Sequence, residues 1–286
     1  MTNSKLSFSG HETFSCRQHW LKKGYDFLIN GGKFSNEDAV VKLGVGKNMV
    51  LAMKYWLQAF YVLDDKGEIS EYANYFFGKK GRDPYLEDIF TIWLLHYLII
   101  TNNSASLYNI FFKEFVSQKN EFTKSDIVSF TDLYCSKMDY VVNSNSLIRD
   151  VDVFIQNYVN PENDINKLDD IYSNILADLN LITVVESRHG KESIYRVVRT
   201  ERRDIPDEFI LFAICDKFNK VSIEFKELYD FLGDLLLITH DGLLNKINSL
   251  ADKYSFVSFE EHAGIRNLHL KSIVNKFKAL DIYYDK

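Results

Sequence analysis

Apolar residues recur every three or four positions along most of this chain, the spacing of helices that bury one face. The pattern is most informative from Ser35 to Glu71. Ser35 reads as an N-cap, with Asp38 three residues on and close to a capping box, opening a short helix to Leu43. Gly44-Val45-Gly46 reads as a tight turn, and Lys47 to about Phe60 as a longer helix. Tyr61-Val62-Leu63 and Glu68-Ile69-Ser70 would then pair across Asp64-Asp65-Lys66-Gly67 as a small wing. Helix, glycine turn, helix and hairpin in this order predict a winged helix-turn-helix.

A helical wheel of the Lys47–Phe60 segment separates two faces. Met49, Val50, Met53, Trp56, Leu57 and Phe60 form the inner one. Lys47, Asn48, Leu51, Lys54, Tyr55 and Gln58 form the outer one, with donors and acceptors suited to phosphates and base edges. Helix-turn-helix proteins reach bases from the first turn of this helix, where Lys47 and Asn48 stand. Any amphipathic helix has a polar outer face, and winged helices also dock proteins. Protein docking and a plain solvated face therefore stand beside DNA contact as readings.

The rest of the chain is also periodic. His11 to about Asn30 is expected as a helix stopped by Gly31-Gly32. Tyr72–Phe77 is another, followed by the basic loop Lys79-Lys80-Gly81-Arg82. Asp83 to about Thr101, Leu107–Phe115, Lys124 to about Cys135 behind the cap Thr123, and a segment through Tyr158 follow as helices. Ile171–Leu181 is predicted helical, and Ile182–Glu186 with Ser193–Val198 form a second wing-like hairpin around Arg188 and Lys191. Helices are expected from Pro206-Asp207 to Phe218, from Ile223 to Leu232 behind a Ser222 cap, from Asp241 to Tyr254, and from Ser272 to Leu280. A last hairpin pairs Phe256–Phe259 with Arg266–Leu270. The fold class is mainly α: a winged-helix N-terminal unit over 1–138 and a helical domain with wing-like hairpins over 139–286.

Composition narrows the classes. With 46% hydrophobic and 15% aromatic residues, the 286-residue chain has material for packed cores and is not of disordered type. Three dispersed cysteines argue against a disulfide framework and fit a reducing cytosol. No apolar run is long enough for a membrane span, so a cytoplasmic location without membrane contact is expected. The net charge of −6 disfavours nucleic acid taken alone. Residues 1–60, however, hold eight Lys/Arg against four Asp/Glu, a balance of +4, which leaves −10 for the remainder. A basic unit on an acidic body can offer one face to DNA.

Other constellations are weaker. Gly44-Val45-Gly46-Lys47-Asn48 is not a phosphate loop, because Val41 and Asn48 stand where glycine and Ser/Thr are needed and a helix precedes it. His11, Glu12, Cys16 and His19 are of metal-ligand type, but no second ligand pair follows at a usual spacing. Glu224-Phe225-Lys226 with Asp216 mimics part of a nuclease signature, but the residues open a helix instead of lying on a strand. No catalytic triad, paired CxxC or dinucleotide fingerprint occurs, so neither catalytic residues nor a cofactor are assigned. His96 reads as a core histidine.

Several stretches are similar to one family. Phe8-Ser9-Gly10-His11-Glu12-Thr13-Phe14 with Arg17 and Trp20-Leu21-Lys22-Lys23-Gly24 resembles the N-terminal signature of the bacterial domain-of-unknown-function 4007 proteins. Glu37 to Val50, Tyr55-Trp56-Leu57, Asp83 to Asp88, Trp93 to His96 and Arg149 to Phe154 resemble further family segments. Phe60-Tyr61 departs from the pattern, standing where a glycine is expected. The family has no settled activity. Its genes tend to lie beside sulfur-transfer enzymes, cysteine desulfurases and helicase-like ATPases, as in phosphorothioate-modification and phage-defence islands. The resemblance thus implies a non-catalytic, DNA-facing subunit or regulator, or alternatively an adaptor that docks a sulfur-transfer or ATPase partner without touching DNA. The residues expected to meet double-stranded DNA are Lys42, Lys47, Asn48, Lys54, Tyr55, Gln58, Lys79, Lys80, Arg82, Arg188 and Lys191.

Overall fold

The computed structural model describes residues 6–102, 104–159, 175–186, 192–272 and 274–285. Among these the protein is mainly α-helical, with two three-stranded antiparallel sheets. It divides into two compact units, Met1–Val198 and Arg199–Lys286.

The first unit contains α1 (Gln18–Ile29), α2 (Ala39–Leu43), α3 (Lys47–Ala59), α4 (Glu71–Phe77), α5 (Ile89–Thr101), α6 (Ser106–Ile110), α7 (Lys124–Lys137) and α8 (Ser144–Tyr158). Its centre is α5, in which every residue from Phe90 to Ile100 is buried. A helix apolar on all sides is stable only when wrapped. Phe76 of α4 and Tyr158 of α8 lie on opposite flanks of it in sequence, and both are fully enclosed. His96 is a satisfied core histidine, with Nδ1 2.8 Å from the Tyr158 hydroxyl. After α6 the helix widens into one π-helical turn, Phe111–Phe115, whose Phe111 ring packs 4.6 Å from Phe154 of α8. α7 starts at a full capping box between Thr123 and Asp126.

The sheet of this unit is ordered β1-β3-β2, from β1 (Glu121–Phe122), β2 (Ile182–Glu186) and β3 (Ile194–Val197). Pairing of Glu121 with Arg196 and of Phe122 with Tyr195 ties the β2–β3 hairpin to the N-terminal half. With α8 packed on α6 and α7, this moves the division from the expected 138/139 to 198/199.

Several helix starts differ from expectation, among them α5, which begins at Ile89 and not at Asp83. The segment 11–17 is not helical: Ser9, Gly10, Glu12 and Thr13 take positive φ, and α1 begins only at Gln18. Ser35 caps nothing; α2 is a single turn and a half beginning after Asp38, which pairs with Lys42 at 2.8 Å instead. The expected helix over 171–181 falls partly outside the described residues; its described end is a 3-10 turn, Ala177–Leu179.

The second unit runs α9 (Asp207–Lys217), β4 (Ser222–Glu224), α10 (Phe225–Leu235), α11 (His240–Lys253), β5 (Val257–His262), β6 (Ile265–Leu270) and α12 (Lys276–Tyr284). Its sheet is ordered β4-β6-β5. Ser222 begins this short strand and does not cap a helix. Residues Phe209–Ile214 of α9 are enclosed. Asp207 accepts hydrogen bonds from Ser249 at 2.6 Å and from Lys253, with Lys246 3.2 Å away. Burial works to raise the Asp207 carboxyl, but these three partners together hold it below the ordinary carboxylate value. Among the described residues no helix is long and apolar enough to cross a membrane.

Candidate nucleic-acid interface

Between Ala39 and Ile69 the chain forms α2, a glycine turn, α3 and one isolated β-bridge. Gly44 ends α2 at φ +60, a left-handed conformation that costs a glycine little and lets the chain reverse. Gly46 is extended and precedes the first turn of α3. Val50, Met53, Trp56 and Leu57 are buried beneath α3, as the wheel predicts. The hairpin after it is small. Leu63 and Ile69 form one bridge, Asp64 accepts from the Lys66 and Glu68 amides at 2.9 Å, and Tyr61 enters the turn at φ +56. That left-handed position explains why a glycine is expected there.

The N-terminal signature holds α3 from behind. The Trp56 indole donates to the Phe14 carbonyl at 3.0 Å, and the His11 ring stacks on Trp56. Asp150 of α8 accepts from the Ser9 amide and faces His11 Nε2, both at 2.8 Å. The Thr13 amide donates to His11 Nδ1, so both ring nitrogens are engaged. Asn157 accepts from the Cys16 amide at 3.1 Å and donates to the Tyr108 hydroxyl at 2.7 Å. Gly10 lies so close to the Tyr55 ring that an added Cβ would meet it at 2.7 Å. At the other end of α3, Asn102 donates to the Gln58 and Ala59 carbonyls at 3.0 and 2.6 Å.

This brace leaves part of the predicted surface open. Lys47, Asn48, Leu51 and Lys54 are exposed along one side of α3. Neither Lys47 nor Lys54 has an ion-pair partner among the described residues. Tyr55, expected outward, instead packs against Gly10 and His11, and burial pushes its hydroxyl well up. Gln58 is half-buried, and Lys42 is exposed but tied to Asp38. Lys79, Lys80 and Arg82 are exposed after α4. Arg188 and Lys191 lie outside the described residues. Of the basic residues that follow them, Arg196 pairs with Glu121, Arg199 with Asp234 and Arg203 with Glu201. The β5–β6 hairpin is acidic towards its tip, with Glu260 and Glu261 exposed.

The metal-type residues are not brought together. His11 is buried against Asp150, Glu12 is exposed, and Cys16 is enclosed with its thiol pushed well up by burial. His19 lies on the surface of α1 beside an open groove of about 1080 Å³. Among the described residues, no three His, Cys, Asp or Glu side chains form a group that could hold a metal ion. The nuclease-like set is likewise dispersed, with Lys226 on Asp230 at 2.7 Å and Asp216 on Lys276 at 2.8 Å. The role of Asp150 in the brace escapes sequence reasoning. Its only signal is membership of the Arg149–Phe154 stretch, and its partner His11 stands 139 residues away.

No curated protein matches the chain. Two solved structures do. One, described as "SspB crystal structure", is 26% identical over 100% of this chain and 91% of its own, with a TM-score of 0.84. The other, described as "Magnesium ion-bound SspB crystal structure", is 25% identical over 99% of this chain and 90% of its own, also with a TM-score of 0.84. The model of the family described as protein of unknown function (DUF4007) matches residues 8–284, and the chain belongs to that family.

Proposed function

We propose that this protein is a DNA-binding, non-catalytic subunit of a phosphorothioation-type modification or phage-defence system. The reading takes α2, the glycine turn, α3 and the Leu63–Ile69 hairpin as a winged helix-turn-helix, with Lys47, Asn48 and Lys54 facing the duplex. The observation that carries it is the open side of α3: two lysines without carboxylate partners among the described residues, on a helix braced at both ends. Unpaired lysines supply phosphate contacts and counterion release, while Asn48 is placed to meet a base edge. Lys47 and Lys54 are two of the eight Lys/Arg that give residues 1–60 a balance of +4. Sulfur-transfer or helicase-like ATPase partners would dock on the acidic remainder.

Duplex binding followed by fluorescence anisotropy from about 50 to 200 mM salt tests it. The affinity should fall steeply with salt. Lys47→Glu with Lys54→Glu should weaken binding and flatten the salt slope by about two units. An unchanged slope in the double variant rejects the α3 interface. Absence of duplex binding, with recovery of such a partner in nuclease-treated pull-downs, selects the adaptor role instead.

One observation favours a second reading: a matched structure is described as magnesium ion-bound. Magnesium needs only one or two carboxylates and keeps several waters, so a three-ligand cluster is not required. A binding subunit leaves supercoiled plasmid intact in magnesium. Nicked plasmid would replace the non-catalytic reading with metal-assisted strand cleavage.

A further inference from the structure

The groove beside α1 is separate from the open side of α3; neither Lys47 nor Lys54 lines it. One wall is α1, with Arg17, Lys22 and Lys23, and Lys42 stands at the α2 end. The opposite wall is the loop carrying Pro84, Tyr85 and Glu87. Four cationic side chains against Asp26 and Glu87 leave the lining at +2. Lys22 is paired with Asp26 and Lys42 with Asp38. The Arg17 guanidinium lies 5.7 Å from the centre of the Trp20 ring, and no carboxylate pairs with it or with Lys23 among the described residues. Burial first, then the nearby Lys23 and Arg17 charges, hold His19 below its ordinary value.

The opposite wall is rigid where it matters. Asp83 is buried and accepts from the Glu87 and Asp88 amides, both at 3.0 Å. Gln18 of α1 donates to the Tyr85 and Leu86 carbonyls, both at 3.2 Å. Leu86 takes φ +58 and is only 2% exposed, which plugs the loop into the core. Tyr85 next to it is 69% exposed. A loop anchored through its main chain therefore holds an aromatic ring out over a cationic groove. Cations and a flat ring side by side are what a phosphate attached to a base requires. A volume of about 1080 Å³ accommodates such a group.

The geometry points to a nucleotide-binding groove, with the phosphate on Arg17 and Lys23 and the base stacked on Tyr85. A free nucleoside monophosphate and an unpaired nucleotide of a DNA strand share this chemistry. Calorimetric titration of the full chain separates them, with AMP, a single-stranded oligothymidylate and inorganic phosphate as probes. Saturable AMP binding identifies the free nucleotide; binding of the oligonucleotide alone identifies the strand. In either case Tyr85→Ala should weaken binding at least fivefold and Tyr85→Phe should retain it. Arg17→Ala with Lys23→Ala should abolish it. The Tyr85 variants keep the loop anchors, which are main-chain carbonyls, so folding is preserved. The proposal is overturned if neither AMP nor oligonucleotide binds, if Tyr85→Ala binds as well as the parent, or if inorganic phosphate binds as tightly as AMP. Duplex binding that depends on Lys47 and Lys54 should survive Tyr85→Ala, so the two sites fail separately.

Discussion

At the scale of single residues, Asp150 ties the N-terminal segment to α8. It is 6% exposed and accepts from the half-buried Ser9 amide and from the buried His11 ring. Asp150→Ala strands both donors, each at a cost of about 1–3 kcal/mol, so a loss on the order of 3 kcal/mol is expected in urea unfolding. A loss within experimental error would mean that the N-terminal segment is held by its ring contacts alone. The residues of this brace were visible in the sequence as a motif, but the arrangement was not. Phe14, Trp20, Leu21, Tyr25 and Leu28 mimic a helical period that starts too early, because Phe14 belongs to a loop whose carbonyl serves Trp56. A metal-like set of His, Glu and Cys turned out to be spacing without convergence.

At the scale of elements, long periodic helices were legible and very short strands were not. α3, α4, α7, α8, α9 and α11 begin and end within a few residues of their apolar patterns, and the β2–β3 and β5–β6 hairpins follow their alternation. β1 has two residues and β4 three, too few to carry a period, and each is defined by its partner strand. The outer face of α3 was read correctly for its lysines. Tyr55 was misplaced because the loop that covers it comes from Gly10 and His11, distant from the wheel. The β5–β6 hairpin turns on Ala263 and Gly264, both at positive φ (+53 and +80). This two-residue turn suits Asn-Gly, whereas alanine pays for a left-handed backbone. Ala263→Asn should therefore stabilise the second unit by about 1 kcal/mol. A thermal melt without any upward shift would show that the strain is relieved elsewhere.

At the scale of the whole molecule, two cores of different character lie on either side of residue 198. The second unit holds the buried residues Phe209–Ile214, Leu228, Leu232, Ile247, Leu250 and Leu268, and its helices and strands pack on one another. A fragment of residues 199–286 should therefore melt as one cooperative transition with near-ultraviolet circular dichroism intact. A broad transition with dye-binding apolar surface would show a core that depends on the rest of the chain. The boundary escaped the sequence because no Pro- or Gly-rich linker marks it. The strand pairing that draws 182–197 back to residues 121–122 is also non-local.

The fully enclosed α5 carries a consequence for biosynthesis. It leaves the ribosome as a greasy rod with no wet side, and Tyr158, which closes over His96, follows 62 residues behind it. At about 5–20 residues per second, that is a delay of several seconds without cover. Messages truncated in this interval would yield sticky stubs, and a chaperone or slow-codon pause acting there would decide how much protein the cell recovers.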